Sequence, residues 1–277
     1  MKRSVLAMGK RNDSESKQCV IEIGKWLKKN SIHCIDVTAG EGQITPPELR
    51  GVIAGITFGG DGTFLSFVNR LSKKDQFPLM GVNLGTLGFI TIMGKTQVKE
   101  VLTRVISGEF QEERRLLGGL KIDRNKREVH SGVFLNDAAI LKNADAPLLK
   151  FEVRLDGALL SRVRADGFLI SSSTGSTAYA LSAGGPLVHP GTDAMILLPI
   201  CAHSLSMRPI IVPTRTQVEI LLVEADDGAV LVFDGQRRFL LRKGDTLSTR
   251  PSQVSLRMVG STSNQWTEAL RSKLRLS

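Results

Sequence analysis

The chain has 277 residues, 42% of them hydrophobic, and a formal net charge of +10. At about 150 residues per domain, this length predicts one large or two ordinary domains that bury a core without disulfides or metals. The composition excludes disordered and collagen-like proteins, and the apolar stretches are far shorter than the ~20 residues of a membrane span. Three cysteines at wide spacings form neither a disulfide framework nor a Cys-x-x-Cys metal site. We therefore expect a cytoplasmic protein without a signal peptide.

Apolar runs alternate with helical patterns in the first part of the chain. Strands separated by helices predict an open, mainly parallel α/β sheet, to which we assign residues 1–108. The predicted strands are 4–8, 32–37, 52–58 and 79–83, and the predicted helices are 19–27, 63–71 and 98–106.

The pattern becomes mainly β after about residue 110. Asp156-Gly157 and Asp227-Gly228 each stand between two apolar runs, so each predicts a β-hairpin. The segments 129–141 and 168–172 are also typical of strands. We assign residues 109–260 to a β-rich, β-sandwich-like domain.

The C-terminal segment is basic and partly helical in pattern. Residues 237–277 contain nine Lys or Arg and two acidic residues, which accounts for +7 of the net +10. Such an excess favours anionic partners, whether nucleic acid, membrane, nucleotide or another subunit. Trp266, Leu270 and Leu274 share one helical face. They predict a helix within 261–277 that packs on another part of the chain, for which the N-terminal domain is a candidate.

A glycine-rich turn follows the predicted strand 52–58. The segment 59–63 reads Gly-Gly-Asp-Gly-Thr, which lets backbone N–H groups approach an anion at the start of a helix. A carboxylate beside phosphates suits metal binding or proton acceptance, and both roles belong to phosphoryl transfer. The turn is not a P-loop, because no Gly-Lys-Ser/Thr follows. An ordinary β–α turn with Asp61 as the helix N-cap is the alternative.

Two further polar segments lie in the β-rich part. Asn136-Asp137 interrupts the apolar run 129–141, and neighbours on a strand face opposite sides of the sheet. Both side chains can therefore reach the same site only if they lie at a bulge or at a strand end. The segment 173–186 follows a predicted strand and is rich in hydroxyls and small residues, which suits a polar ligand with a flat ring. An ordinary Asn-Asp turn and a Ser/Thr-rich surface loop are the alternatives.

Together these motifs resemble the NAD kinase family, in its bacterial form. Gly-Gly-Asp-Gly-Thr alone is also similar to diacylglycerol-type lipid kinases and 6-phosphofructokinases. The more specific part is Gly-Ser-Thr-Ala-Tyr-x-Leu-Ser-Ala-Gly-Gly-Pro at 175–186. Leu-Asn-Asp at 135–137, Arg-Ala-Asp-Gly at 164–167 and Asp-Gly-Gln at 234–236 match the family in order and spacing. The resemblance extends over residues 52–236.

The resemblance implies transfer of the γ-phosphate of ATP to the 2′-hydroxyl of the adenosine ribose of NAD, which makes NADP. Mg²⁺ is the expected metal, because phosphates and hard oxygen ligands suit it. A homodimer or homotetramer is implied, and neither nucleic acid nor membrane is expected as a partner. No protein residue is assigned as a metal ligand.

The resemblance also implies roles for particular residues. Asp61 is the expected general base, and Gly62 lies beside the NAD ribose and pyrophosphate. Phe89 lines the adenine end, and Asn136 and Asp137 bind a ribose. The remaining expected contacts are Arg164 and Asp166 at the nicotinamide end, Thr177, Ala178, Tyr179 and Ser182 around adenine and ribose, and Gln236 as a further binding residue.

Two positions depart from the family pattern. Asp137 stands where Glu is usual, so its reach is shorter by one methylene, about 1.3–1.5 Å. Ser173 stands where Pro is usual, which removes a constraint on the loop. A lipid kinase with its basic C-terminus on an anionic membrane remains one alternative function. A catalytically weak dinucleotide-binding regulator with its basic tail on nucleic acid is the other.

Overall fold

The computed structural model describes residues 3–72, 74, 76–203, 207–225, 228–260 and 263–274, without the side chains of 250–254 and 263–264. The chain forms two compact units. Unit 1 comprises Met1–Arg114 with Ser255–Ser277, and unit 2 comprises Arg115–Val254. None of the described helices combines the length and apolarity needed to cross a membrane.

The described secondary structure comprises five α-helices and seventeen strands. The helices are α1 (Ser14–Lys29), α2 (Asp61–Arg70), α3 (Val98–Ser107), α4 (Tyr179–Ser182) and α5 (Ser263–Leu274). The strands are β1 (Ser4–Gly9), β2 (His33–Asp36), β3 (Val52–Phe58), β4 (Leu79–Asn83), β5 (Met93–Gly94), β6 (Glu112–Arg124), β7 (Arg127–Phe134), β8 (Asp137–Lys142), β9 (Leu149–Leu155), β10 (Ala158–Ala165), β11 (Gly167–Ser172), β12 (Ala194–Ile200), β13 (Ile210–Pro213), β14 (Val218–Glu224), β15 (Ala229–Phe233), β16 (Arg237–Leu241) and β17 (Thr246–Val259).

Unit 1 contains the predicted α/β sheet. Its strands lie in the order β2-β1-β3-β4, and each neighbouring pair is parallel. Every residue of β1 is buried, as expected for a parallel strand covered on both faces. Helix α1 begins after Asp13, whose carboxylate accepts the Ser16 N–H at 2.8 Å, and it packs Val20 and Leu27 into the core.

The turn between β3 and α2 sets the start of the helix. Gly59 has a φ of +146°, which L side chains rarely adopt, and its N–H donates to the Val82 carbonyl of β4 at 2.9 Å. The helix begins two residues earlier than predicted, with Gly60 as its N-cap. The interpretation of Asp61 as an N-cap is therefore wrong: Asp61 is the first helical residue, and its side chain turns to a different segment.

Unit 2 is a packed pair of antiparallel layers, which confirms the predicted β-rich, β-sandwich-like architecture. One layer has the order β13-β12-β11-β8-β15-β16, and the other contains β10-β9-β14 with the first part of β17. Phe151 and Ile220 of the second layer share one hydrophobic core with Phe168 and Leu231 of the first. Burial of both inner faces in a common core is the arrangement of a β-sandwich.

One of the two predicted hairpins is present. Asp156 and Gly157 have φ of +49° and +83° and join the antiparallel strands β9 and β10, as a hairpin turn requires. The second prediction is wrong, although Asp227 itself lies outside the described residues. Strand β14 pairs with β9 and β17, whereas β15 pairs with β8 and β16 in the other layer. The chain passes from one layer to the other between β14 and β15. The hydrophobic pattern of a strand does not show which layer the strand joins, so the sequence could not predict this change.

The predicted strand 129–141 is broken. It becomes β7, which pairs with β6, and β8, which lies in the six-stranded layer, with Leu135 and Asn136 between them. The two strands join different layers, so the run cannot remain one straight strand. The predicted C-terminal helix is present as α5, with Ala269 and Leu270 buried.

Candidate active site

The carboxylate of Asp61 is held by a loop of unit 1. Oδ2 accepts the N–H of Phe89 at 2.9 Å, and Oδ1 accepts the N–H groups of Ile90 at 3.2 Å and Thr91 at 2.9 Å. Oδ1 also accepts the Thr91 hydroxyl at 2.8 Å. An ionised carboxylate has about four acceptor positions, shared between two oxygens. Oδ2, with one of these donors, therefore keeps more capacity for a further partner than Oδ1.

The same loop is braced on its other side. Asn83, at the end of β4, donates from Nδ2 to the Thr86 carbonyl at 2.7 Å and to Thr91 Oγ1 at 3.3 Å. A Cβ on Gly88 would overlap Asp61 Oδ1 and Thr91 Oγ1. Glycine at position 88 therefore permits the close approach of the loop to the carboxylate.

The backbone around Asp61 is open at two glycines. A Cβ added to Gly60 or Gly62 would meet no atom within 4 Å, and Gly62 is exposed. An open backbone at the start of α2 is suited to close approach by a phosphate, since N–H groups and the helix dipole both favour an anion there.

Phe89 contacts the C-terminal helix within unit 1. Lys273 of α5 places Nζ 5.0 Å from the centroid of the Phe89 ring, which is a cation–π geometry. The Phe89 N–H also donates to Asp61, so Lys273 of α5 and the Asp61 carboxylate contact the same residue.

In unit 2, Asn136 and Asp137 lie at a break between strands. Both side chains are buried, with exposed fractions of 8% and 5%. Asp137 begins β8, and the nearby Tyr179 N–H favours the ionised form of its carboxyl group. Burial, reinforced by the nearby Asp234, raises the pKa of Asp137 to about 7. Asn136 Oδ1 is buried and has no donor among the described residues, so it is free to accept one from a ligand.

The hydroxyl-rich segment forms a 3₁₀ turn, Thr174–Thr177, that leads into α4. The Ser176 hydroxyl donates to the Val188 carbonyl at 2.9 Å, and the Ser173 hydroxyl contacts the Thr192 carbonyl at 2.5 Å. The Ser173 hydroxyl therefore ties the loop to the segment before β12.

Tyr179 is 37% exposed at the start of α4. The pKa of its hydroxyl is raised, first by burial and then by Cys201, Asp137 and Asp166. Asp166 follows β10, and its carboxylate lies 3.6 Å from Lys142 Nζ at the end of β8. Tyr179 is thus near enough to Asp137 and Asp166 for both carboxylates to act on its hydroxyl.

The other predicted residues of unit 2 are exposed or half-buried. Arg164 is exposed in β10, and its carbonyl accepts the His203 N–H at 2.9 Å. Gln236 is exposed in the turn between β15 and β16. Thr177 and Ala178 are half-buried and Ser182 is exposed, all beside Tyr179 in the chain. The predicted residues thus form two groups, with Asp61, Gly62 and Phe89 in unit 1 and the rest in unit 2.

Two residues that the sequence did not single out support these groups. Thr91 gives Asp61 two hydrogen bonds, and Asp234 accepts backbone N–H groups at the Asn136-Asp137 break. Asp234 stands in the Asp-Gly-Gln match at 234–236, which could have signalled it. Nothing in the sequence around Thr91 indicates its partner.

Two family models match this chain. The family model for the ATP-NAD kinase N-terminal domain matches residues 47–110, and that for the ATP-NAD kinase C-terminal domain matches residues 135–261. The chain belongs to the NAD kinase family. The NAD kinase of Geobacter sulfurreducens is 34% identical over 99% of this chain and 98% of its own length. That of Aquifex aeolicus is 38% identical over 79% of this chain and 80% of its own.

Solved structures of NAD kinases share the fold. A yeast NADH kinase complexed with NADH has a TM-score of 0.87 and 24% identity, covering 99% of this chain and 88% of its own. An NAD kinase from Archaeoglobus fulgidus in complex with ATP has a TM-score of 0.77 and 24% identity, covering 97% and 99%.

The contact between Gly88 and Asp61 gives a stability prediction. We expect Gly88→Ala to lower the free energy of unfolding by about 1–3 kcal/mol, because the new methyl group overlaps the Asp61 carboxylate and Thr91. Gly85→Ala is the matched control, since its Cβ would meet no atom within 4 Å. Urea unfolding measures both variants. Equal losses in the two would contradict the proposed overlap.

The raised pKa of Asp137 gives a pH-dependence prediction. Folding raises this pKa from 3.8 to about 7, so the folded chain holds a proton that the unfolded chain releases between these values. The free energy of unfolding therefore falls as the pH rises through this window, by at most about 1.4 kcal/mol per unit. Asp137→Asn removes this loss, and we expect its stability relative to wild type to increase with pH from about 4 to about 7.

Urea unfolding across that window measures the effect in the wild type and in Asp137→Asn. Asp193→Asn is the control, because it removes an exposed carboxylate from the same unit. A difference between wild type and Asp137→Asn that stays constant with pH would contradict the prediction.

Proposed function

We propose that this chain is an NAD kinase, which transfers the γ-phosphate of ATP to the 2′-hydroxyl of the adenosine ribose of NAD and makes NADP. The observation that carries the proposal is the Asp61 carboxylate, placed at the open, glycine-rich start of α2 in a chain that is related to NAD kinases over 99% of its length. A carboxylate beside N–H groups suited to phosphate is what phosphoryl transfer to a hydroxyl needs.

Asp61 is the proposed general base. Oδ2 accepts one N–H in the structure, so it is the oxygen with capacity for the proton of the ribose hydroxyl. An ordinary Asp is a weak base, so the proton moves late, as the bond from oxygen to phosphorus forms. General base catalysis contributes typically about 10²–10⁴-fold, and positioning and charge neutralisation supply the rest.

Mg²⁺ is the proposed metal. Among the described residues, no group of three His, Cys, Asp or Glu side chains is arranged to hold a metal ion. Mg²⁺ commonly binds through one or two carboxylates together with substrate phosphates and water. No residue is assigned as its ligand, because Oδ2 of Asp61 is reserved for the ribose proton. ATP phosphates and water would supply the oxygen ligands of the metal. When bound, Mg²⁺ neutralises charge on the transferring phosphate.

The dinucleotide-binding residues are proposed from their positions. Phe89 and Tyr179 offer aromatic rings for the adenine end, and Asn136 and Asp137 offer acceptors for ribose hydroxyls. Arg164 and Asp166 are proposed for the nicotinamide end. Gly62, Thr177, Ala178, Ser182 and Gln236 complete the proposed contacts.

The two predicted domains are proposed to have different roles in the reaction. Residues 1–108 supply the phosphate-handling turn, and residues 109–260 supply most of the dinucleotide contacts. The helix of 261–277 belongs with the first group, which the contact between Lys273 and Phe89 supports. We further propose a cytoplasmic homodimer or homotetramer, without nucleic acid or membrane as a partner.

The test is NADP formation from NAD, ATP and Mg²⁺ by the purified protein. We expect Asp61→Asn to lower kcat by about 10²–10⁴-fold, because an amide cannot accept the ribose proton. Tight NAD binding by the wild type without NADP would favour the regulator. Phosphate transfer to diacylglycerol in place of NAD would favour the lipid kinase.

A control separates the chemistry of Asp61 from its contact with the loop. Thr91→Val removes the hydroxyl donor to Oδ1 and leaves the carboxylate. We expect Thr91→Val to lose less than about tenfold in kcat, since one hydrogen bond is replaceable and the base remains. A loss equal to that of Asp61→Asn would show that Asp61 acts by holding the loop.

The ring of Tyr179 gives a second test. Stacking of an aromatic side chain on a base contributes about 1–3 kcal/mol, so Tyr179→Ala should raise KM for NAD by roughly 5- to 150-fold. Tyr179→Phe keeps the ring and should leave KM close to wild type. An unchanged KM in Tyr179→Ala would indicate that the tyrosine only packs within unit 2.

A further inference from the structure

The break that carries Asn136 and Asp137 raises a structural question. Adjacent residues of a strand face opposite sides of the sheet, yet the proposed function uses both side chains. The backbone between β7 and β8 must therefore leave the strand conformation, and its buried N–H and C=O groups need partners outside a ladder.

Asp234 supplies the acceptor for those N–H groups. Its carboxylate is 6% exposed, and Oδ1 accepts the N–H of Leu135 at 3.0 Å, Asn136 at 2.7 Å and Asp137 at 3.3 Å. The Asp234 N–H in turn donates to the Asp137 carbonyl at 2.9 Å. One side chain, about 100 residues away in the chain, thus binds three consecutive residues of the break.

The opposite side of the break is held by β11. The Ser172 hydroxyl donates to the Leu135 carbonyl at 2.5 Å, and the Ser172 N–H donates to the Asn136 carbonyl at 2.9 Å. The Ser171 hydroxyl contacts the same Asn136 carbonyl at 3.1 Å. The backbone of Asn136 is thus held on both sides, and its side-chain Oδ1 is buried with no donor among the described residues.

The position of Asp234 is itself fixed. Asp234 and Gly235 have φ of +50° and +68°, and the Gln236 N–H closes the turn onto the Phe233 carbonyl at 2.9 Å. Asp is among the few residues that tolerate this conformation. Arg237, the next strand residue, lies 5.1 Å from the Phe233 ring centroid and donates to the Val133 carbonyl at the end of β7. The turn is therefore anchored beside the break.

We propose that Asp234 is a positioning residue for the dinucleotide: its buried carboxylate gathers three consecutive N–H groups and so presents Asn136 and Asp137 together to the nucleotide. The inference rests on the proposed function. Asp234 acts through the backbone of the break, and Asn136 and Asp137 make the contacts with the ligand.

Asp234→Asn tests the proposal. The variant keeps one oxygen, but its NH₂ group faces backbone N–H donors, so the break loses part of its support. We expect KM for NAD to rise about tenfold or more, while KM for ATP stays within about twofold. The measurement is steady-state kinetics on folded protein, with the thermal midpoint recorded alongside.

Asp245→Asn is the matched control. Asp245 is another buried aspartate of unit 2, and its carboxylate accepts the Arg242 N–H at 2.8 Å and binds the Arg124 guanidinium at 2.7 Å. We expect this variant to lower the thermal midpoint without changing KM for NAD beyond about twofold. If Asp234→Asn behaves in the same way, or if both variants raise KM for NAD equally, the positioning role is overturned.

Amide hydrogen exchange of the wild type covers the case in which Asp234→Asn does not fold. We expect the backbone N–H of Asn136 to be protected from exchange already in the free protein, because it donates to the Asp234 carboxylate without any ligand. Fast exchange that slows only when NAD is added would overturn the proposal. If the wild type made no NADP, the proposed function would fail, and calorimetric NAD affinities of the same variants would still decide the role of Asp234.

Discussion

A carboxylate that accepts the N–H groups of consecutive residues is the interaction on which the candidate residues of each unit depend. In unit 1, Asp61 binds the backbone from Phe89 to Thr91, and in unit 2, Asp234 binds the backbone from Leu135 to Asp137. Residues 89–91 and 135–136 lie outside the regular strands, so their backbone N–H groups need such an acceptor. A carboxylate meets this need because it only accepts, through two oxygens.

Close backbone approach follows from this arrangement. A Cβ at Gly88 would overlap the Asp61 carboxylate, and one at Gly175 would overlap the Asn136 carbonyl. Gly88 and Gly175 therefore allow close packing within their own units. Hydroxyls of Ser172 and Thr91 complete the same networks, so small and polar residues replace the large apolar side chains of an ordinary core.

Several basic residues of the C-terminal segment are used within their own units. Lys273 lies over the Phe89 ring, and Arg257 of β17 pairs with Glu112 at 2.5 Å. Arg237 packs over a phenylalanine and binds a backbone carbonyl in unit 2. The positive charges at these positions thus take part in local contacts, because a nearby aromatic face or carboxylate stabilises a cation. The composition alone favoured an external anionic partner for this charge.

The sequence by itself determined the strands 52–58 and 79–83, the hairpin at Asp156-Gly157 and the family, because each depends on residues close together in the chain. Only the tertiary structure decided the break at 135–136, the change of layer between β14 and β15, and the partners of Asp61 and Asp234. Those features join residues about 30 to 100 positions apart. Local patterns of hydrophobicity and turn residues carry no information on which distant donor meets which acceptor.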